Sequence, residues 1–316
     1  MKVAVIYTGM VRTMQDTISY FKKNILLTDN VHVFAVVQSD TPDETQNYLE
    51  KSLGNHLKSL LFFKNNNDEW ITIRETLLTN MTLDDSWKHY LRTSGSMIEY
   101  YQLYLASRLI SEYESLHNIR YNYVIRNRTD IIYTKPLDFS WLLLTEEIIE
   151  EKLANVDINN VAEKISATIN FMNRLMGDRN FENGICRCFN YETDPLFNKI
   201  IFCDSHETMS KNLLYYILHG RYTLVLRDNL YYVMNRDYLE DLALLGITYG
   251  ELKSDDDYWF NAEEQYRSVM KKNNITIFDS VTKVEVESLY NYDDKNYFDE
   301  QGNLLDNDTL FFIKRK

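Results

Sequence analysis

The segment VIRNRTDIIY (124–133) sets Arg126, Asn127, Arg128 and Asp130 between apolar flanks. Those flanks read as a buried strand, and charge inside a sheet is costly unless it meets a ligand, a metal ion or a partner side chain. A guanidinium can bind phosphate through two parallel hydrogen bonds, and a carboxylate such as Asp130 can ligate a hard divalent cation. An internal Arg–Asp ion pair is the plainer alternative. A second stretch, TGMVRT (8–13), lets Thr8 and Gly9 end an apolar strand while Arg12 and Thr13 begin a helix. Backbone N–H groups and the helix dipole favour an anion there. A phosphate contact and a tight turn carrying an exposed Arg12 fit these residues equally. The G-x-G-x-x-G fingerprint is absent, which argues against the usual dinucleotide fold.

Every cysteine of the chain falls in one region, as Cys186, Cys188 and Cys203, with His206 close by. Three thiolates and an imidazole suffice for a structural zinc site, although CRC followed by CDSH is not a recognised finger spacing. Buried free cysteines are the alternative, and three cysteines are too few for a disulfide framework.

The elements that must carry these residues follow from periodicity. KVAVIYTG (2–9) is a continuous apolar strand, and the residues after it place Met14, Ile18, Phe21 and Ile25 at helical spacing. NVHVFAVVQ (30–38) has the β-branched character of a buried parallel strand. A polar helix around DETQNYLEKSLG and a weak strand at SLLFF follow. The segment SGSMIEYYQLYLASRLISEYES predicts a long amphipathic helix with Met97, Tyr101, Tyr104, Leu105 and Leu109 on its apolar side and Ser94 or Ser96 near its N-cap. It delivers the chain to the strand YNYVIR. Strands alternating with helices predict a doubly wound α/β sheet whose ligand crevice lies beyond the carboxyl ends of the strands.

Beyond residue 140 the pattern predicts helices in WLLLTEEIIEEKL and VAEKISATINFMNRLM, and a strand pair or bent strand in YTLVLRDNLYYVMN (222–235). A short helix in RDYLEDLALLG, another in NAEEQYRSVMKKNN and a late strand at ITIFDS complete the list, and the acidic tail from 281 reads as hairpin or loop. No repeat or Pro/Gly/Ser-rich linker marks a boundary.

Bulk composition narrows the partners. The 316 residues carry 34 basic and 47 acidic side chains, a net charge of −13 that disfavours nucleic-acid and membrane-surface binding. A small phosphorylated ligand needs only a local basic pocket. The N-terminus lacks a signal-type apolar region and no later run reaches membrane-spanning length, so a cytoplasmic location is expected, the host cytoplasm if the protein is viral. Four Asn-x-Ser/Thr sequons, at Asn80, Asn127, Asn274 and Asn307, read as chance.

Together TGMVRT after the first strand, VFAVVQSD after the second, and an aromatic helix leading into YNYVIRNRTDIIY resemble nucleotide-sugar glycosyltransferases of the GT-A type. The resemblance is to bacterial and large-virus polysaccharide-assembly proteins with xGxxRT and RxRxD motifs, and covers residues 1 to about 138. It implies a GT-A-like, Rossmann-like fold: a mixed, mainly parallel sheet flanked by helices, with a helical insertion and a C-terminal appendage. Residues 1–138 would bind the donor, residues 139–280 the acceptor, and residues 281–316 form the appendage. The implied reaction moves a sugar from a nucleoside-diphosphate sugar to a hydroxyl of a glycan or glycoconjugate. Thr8, Gly9, Arg12, Thr13, Arg126 and Arg128 would bind the donor, and Asp130 would hold Mn²⁺ or Mg²⁺. Of the family's Asp-x-Asp pattern, Arg128-Thr129-Asp130 keeps only the second acid, so Arg128 could supply positive charge instead.

On the acceptor side the resemblance implies a carboxylate base if configuration is inverted, and Asp228, Glu263 and Glu264 are the candidates. The two glutamates fit equally as dipole complements in a helix's first turn. A catalytically silent sugar- or nucleotide-binding or structural relative is the competing reading, supported by the missing first acid. A nucleotidyltransferase would need a glycine-rich phosphate loop, and none is found.

Overall fold

The computed structural model describes residues 2–81, 84–93, 95, 97–133, 136, 222–227, 231–244, 276–279, 299 and 311–313. Strands β1 (Val3–Met10), β2 (Val31–Gln38), β3 (Leu57–Phe62) and β4 (Tyr123–Arg128) lie parallel in the order β3-β2-β1-β4. Six successive residues of β1, Val3–Thr8, are buried, because helices cover both faces of the sheet. In β3, at the edge, every residue is only partly buried, which accounts for its weak apolar signal.

Helices α1 (Met14–Ile25) and α2 (Pro42–Leu53) cover one face, where Ile18, Phe21, Leu49 and Leu53 meet Val3, Val5, Val33 and Ile125. The opposite face is covered by α3 (Asp68–Asn80), α4 (Asp85–Thr93) and α5 (Ile98–His117), whose Trp70, Leu78, Leu91, Tyr101, Ala106 and Ile110 pack on Ala4, Ile6, Phe34 and Val124. The long helix is α5: Met97 and Tyr101 are buried as expected, together with Leu103, Ala106 and Ile110, while Tyr104, Leu105 and Leu109 sit at the margin. Its sequence is apolar around much of its circumference, so contact with neighbouring helices, rather than spacing alone, selects the buried stripe. Its N-cap is Met97, with no side-chain cap bond, and its C-cap is Asn118 in the left-handed conformation that asparagine tolerates.

The chain after residue 221 extends the same sheet. Strands β6 (Tyr222–Arg227) and β7 (Tyr231–Asn235) form the antiparallel pair expected over 222–235, and β7 lies antiparallel to β4. The late strand β8 (Thr276–Asp279) runs parallel to β6 at the far edge. In the tail, expected as hairpin or loop, β9 (Phe311–Ile313) pairs antiparallel with β5 (Ile131–Tyr133), the short strand just past β4. The result is a mixed α/β sheet with a parallel core and flanking helices. The helices expected over WLLLTEEIIEEKL, VAEKISATINFMNRLM and NAEEQYRSVMKKNN lie outside the described residues.

Helix α6 (Leu239–Ala243), preceded by the turn Arg236–Tyr238, is the short helix expected after β7. Arg236 is 1% exposed and fully engaged. Its guanidinium donates to Glu114 through Nε (3.1 Å) and Nη2 (2.8 Å), to Glu240 through Nη1 (2.6 Å) and to Ser111 Oγ through Nη2 (3.0 Å). Glu114 Oε1 also accepts from the Tyr121 backbone N–H at 2.9 Å. A buried guanidinium is tolerable only with its donors satisfied in this way, and here that requirement fixes the turn after β7 against the end of α5.

Candidate active site at the carboxyl edge of the sheet

From β1 the chain leads to β2 and β3 on one side, whereas β4 lies on the other. In an open α/β sheet that reversal of strand order opens a crevice beyond the carboxyl ends of the two central strands. TGMVRT and RNRTD stand at those ends.

Thr129 joins them. Its N–H donates to Thr8 O (2.9 Å), its hydroxyl to Met10 O (2.6 Å), and its carbonyl accepts from the Thr17 hydroxyl of α1 (2.6 Å). Gly9 makes room for this junction: its φ is +129°, and a Cβ at that position would come within 2.8 Å of Thr129 Oγ1. Both features exclude an ordinary side chain. The glycine therefore has a structural role independent of any phosphate.

Pairing register sorts the charged residues by face. Arg126 and Arg128 align with Ile6 and Thr8, on the α5 side, while Asn127 aligns with Tyr7 on the α1 side. Asn127 Oδ1 accepts from the Tyr133 hydroxyl, and its Nδ2 donates to Arg128 O at 2.9 Å. Helix α5 returns from the carboxyl edge to the start of β4, so its first turn lies beside the end of that strand. Glu99, in that turn, bridges Arg126 Nη2 (3.5 Å) and Arg128 Nη1 (3.4 Å). From the other direction Asp130 accepts Arg128 Nε at 3.0 Å on Oδ1 and Nη2 at 2.7 Å on Oδ2. The side chains of Arg126 and Asp130 are 4% and 7% exposed, whereas those of Arg128 and Glu99 are 19% and 24% exposed. Arg128 and Glu99 therefore form the open side of the cluster.

Among the described residues this cluster comprises two cations and two anions. Thr8 Oγ1, beside Arg128 by register, and Thr13 Oγ1, at the start of α1, are buried without a hydrogen-bond partner among the described residues, an unusual state for a hydroxyl. Arg12 is exposed in the single 3-10 turn, Val11–Thr13, that leads into α1. The structure thus gathers Arg126, Arg128 and Asp130 into one cluster, with Thr8 paired to Arg128 by register, and leaves Arg12 on the surface near the start of α1. Asp228, Glu263 and Glu264, and the group Cys186, Cys188, Cys203 and His206, lie outside the described residues.

The carboxylate expected to hold a divalent cation is Asp130, and its described neighbour is a guanidinium. Each oxygen of Asp130 accepts one hydrogen bond from Arg128, and among the described residues no group of three or more His, Cys, Asp or Glu side chains is placed to hold a metal ion. Mg²⁺ in particular needs near-ideal octahedral geometry from oxygen ligands. The positive charge beside Asp130 is a guanidinium.

Glu99 carries no mark in the sequence beyond being an acid in a helix's first turn, where acids are ordinary. Thr129 likewise looks like filler between Arg128 and Asp130. Among the described residues no helix is long and apolar enough to cross a membrane. Comparison with protein-family models and with curated proteins yields no match for the chain.

Proposed function

We propose that the chain is a glycosyltransferase that takes a nucleoside-diphosphate sugar as donor and a hydroxyl of a glycan or glycoconjugate as acceptor. The observation that carries this reading is the partly open Arg128 guanidinium, backed by buried Arg126, at the switch point of a doubly wound sheet. Guanidinium donors there suit the two phosphates of a departing nucleotide, and preorganised charge of this kind usually dominates the catalysis of such transfers. Thr8 and Thr13 would add hydroxyl donors, and Arg12 a further cation at the entrance to α1. On the acceptor side, Asp228, Glu263 and Glu264 are the proposed bases. The resemblance of TGMVRT and YNYVIRNRTDIIY to GT-A enzymes supports the same assignment, and no step is routed through a metal ion.

One observation favours a second reading, a silent relative that binds sugar or nucleotide without turnover. The carboxylate that the family uses as metal ligand is committed to Arg128. A panel of nucleotide sugars, with slow donor hydrolysis followed by release of nucleoside diphosphate, separates the two. Hydrolysis of one donor by the parent, with nucleotide affinity lowered about ten-fold or more by Arg12→Ala at unchanged melting temperature, supports transfer. Binding without hydrolysis of any donor leaves the silent relative.

A further inference from the structure

The turn that carries Arg12 has no cap of its own. A residue opening a helix ordinarily accepts a first-turn N–H on its side-chain oxygen, and that bond fixes the direction in which the chain enters. Met10, which opens the Val11–Thr13 turn, has no such oxygen, and Thr13, the N-cap of α1, makes no cap bond although its hydroxyl is buried. The entry is held instead from the end of β4. Thr129, 1% exposed, donates its hydroxyl to Met10 O at 2.6 Å and its N–H to Thr8 O at 2.9 Å, and its carbonyl accepts from the Thr17 hydroxyl at 2.6 Å. Three bonds from one residue thus fasten the end of β1, the Arg12 turn and the start of α1. Gly9 leaves the space the hydroxyl occupies, since a Cβ there would lie 2.8 Å from it.

Resting on the diphosphate reading above, we propose that Thr129 is a positioning residue whose hydroxyl, acting through Met10 O, sets where Arg12 stands relative to the end of β4. Val11 alone separates Met10 from Arg12, and Thr129 follows Arg128 directly. One hydrogen bond therefore joins the two basic stretches of the chain. Donors meant for the two phosphates of one ligand must be held at a set spacing before it arrives, because a turn that is ordered only on binding loses affinity to that ordering. Arg12 is exposed, and its guanidinium reaches only as far as the backbone beneath it allows. The role belongs to the hydroxyl and not to the shape of the side chain: serine keeps the donor, and valine keeps the volume without it. Buried as it is, Thr129 acts on the ligand only through the turn.

The test is titration calorimetry of the full chain with inorganic pyrophosphate, comparing the parent with Thr129→Val, Thr129→Ser, Arg12→Ala and the double variant of Arg12→Ala with Thr129→Val. Thr129→Val is expected to weaken pyrophosphate binding about five-fold or more, and Thr129→Ser to stay within about two-fold of the parent. In the Arg12→Ala background the Thr129→Val loss should vanish, because the residue it positions is gone. Thermal unfolding separates the structural part: Thr129→Val should lower the melting temperature equally with or without Arg12, since the same bond is lost. Parent-like binding by Thr129→Val overturns the proposal, as does a loss that serine does not restore. An equal loss in both Arg12 backgrounds, the mark of general loosening, also overturns it. Amide exchange over residues 10–14 of the ligand-free parent should already be slow, and fast exchange there overturns the proposal without any variant. Pyrophosphate binding with additive losses sinks only this inference, whereas no pyrophosphate binding by the parent sinks the diphosphate reading and this inference with it.

Discussion

Replacing Asp130 by asparagine isolates what the carboxylate contributes to the fold. In the parent, both of its oxygens accept from Arg128, at 3.0 and 2.7 Å, in a nearly buried position. The amide keeps the shape and one acceptor but turns its own N–H₂ toward a guanidinium N–H, so one contact is lost and the other loses its charge. Breaking a buried pair from one side costs roughly 3 to 5 kcal/mol. Arg128 retains some exposure and its 3.4 Å contact with Glu99, both of which soften the loss. The low end, about 3 kcal/mol, is therefore expected for Asp130→Asn. At roughly 2 °C per kcal/mol for a chain this long, the melting temperature should fall by about 6 °C. Calorimetric melts of Asp130→Asn, Arg128→Gln and the double variant form a cycle in which a real pair shows a coupling of about 1 kcal/mol or more. A single variant melting within about 1 °C of the parent, with no coupling in the cycle, would refute the anchoring role. It would mean that Asp130 does not hold Arg128 in place.

Two further outcomes follow from neighbouring geometry. Gly9→Ala should lose roughly 2 to 4 kcal/mol in urea melts, because φ of +129° and the approach to Thr129 Oγ1 both oppose a Cβ. Adding Thr129→Ala should recover none of the backbone strain, and a neutral Gly9→Ala would contradict the junction described at the end of β1. Burial, with Lys58 and Lys2 nearby, lowers the His32 pKa from 6.5 to about 4, while its Nδ1 and the Tyr121 hydroxyl share a hydrogen bond of 2.6 Å. Between those values the unfolded chain binds more protons than the native one, so stability must fall as pH drops from 6.5 toward 4. His32→Gln should flatten the melting-temperature profile in that window, and an unchanged profile would reject the assignment.

How much of this was legible in the sequence depends on where burial alone determines conformation. Strands β1 and β2 are buried on both faces, so their apolar runs are continuous and their boundaries stand out. The pair β6 and β7, and the strand β8, are legible for a related reason, as short β-branched and aromatic runs broken by turn residues. Helix α3 is hidden although its signals are present: Asn67 Oδ1 caps it by accepting from the Trp70 N–H at 3.1 Å, and Trp70, Leu77 and Leu78 share one buried stripe. Polar and β-branched residues between them dilute the period. Strand β9 is too short to carry any period, and only its pairing with β5 defines it. In the site, the side chains with formal charge at 126, 128 and 130 announce themselves because charge is rare in a central strand. Glu99 does not, because its significance comes entirely from the direction in which α5 returns to β4.

The charges in VIRNRTDIIY therefore do not pose a choice between holding the fold and meeting a ligand. A guanidinium has five N–H donors, and among the described residues Arg128 gives one edge, Nε and Nη2, to Asp130, while Nη1 reaches Glu99. The Asp130 edge is short, bidentate and buried, as a structural pair must be to offset desolvation. The contact with Glu99 is longer and partly exposed, so this contact contributes less to stability. A lysine at 128 has no second edge, so it would satisfy Asp130 and then present nothing directional to an incoming anion. The strand tolerates charge only in its last residues and, for the arginines, only on the α5 face, where a helix's first turn supplies the second carboxylate. An arginine with one edge fixed by Asp130 has the direction of its other donors set in advance, which is what the proposed diphosphate contact needs.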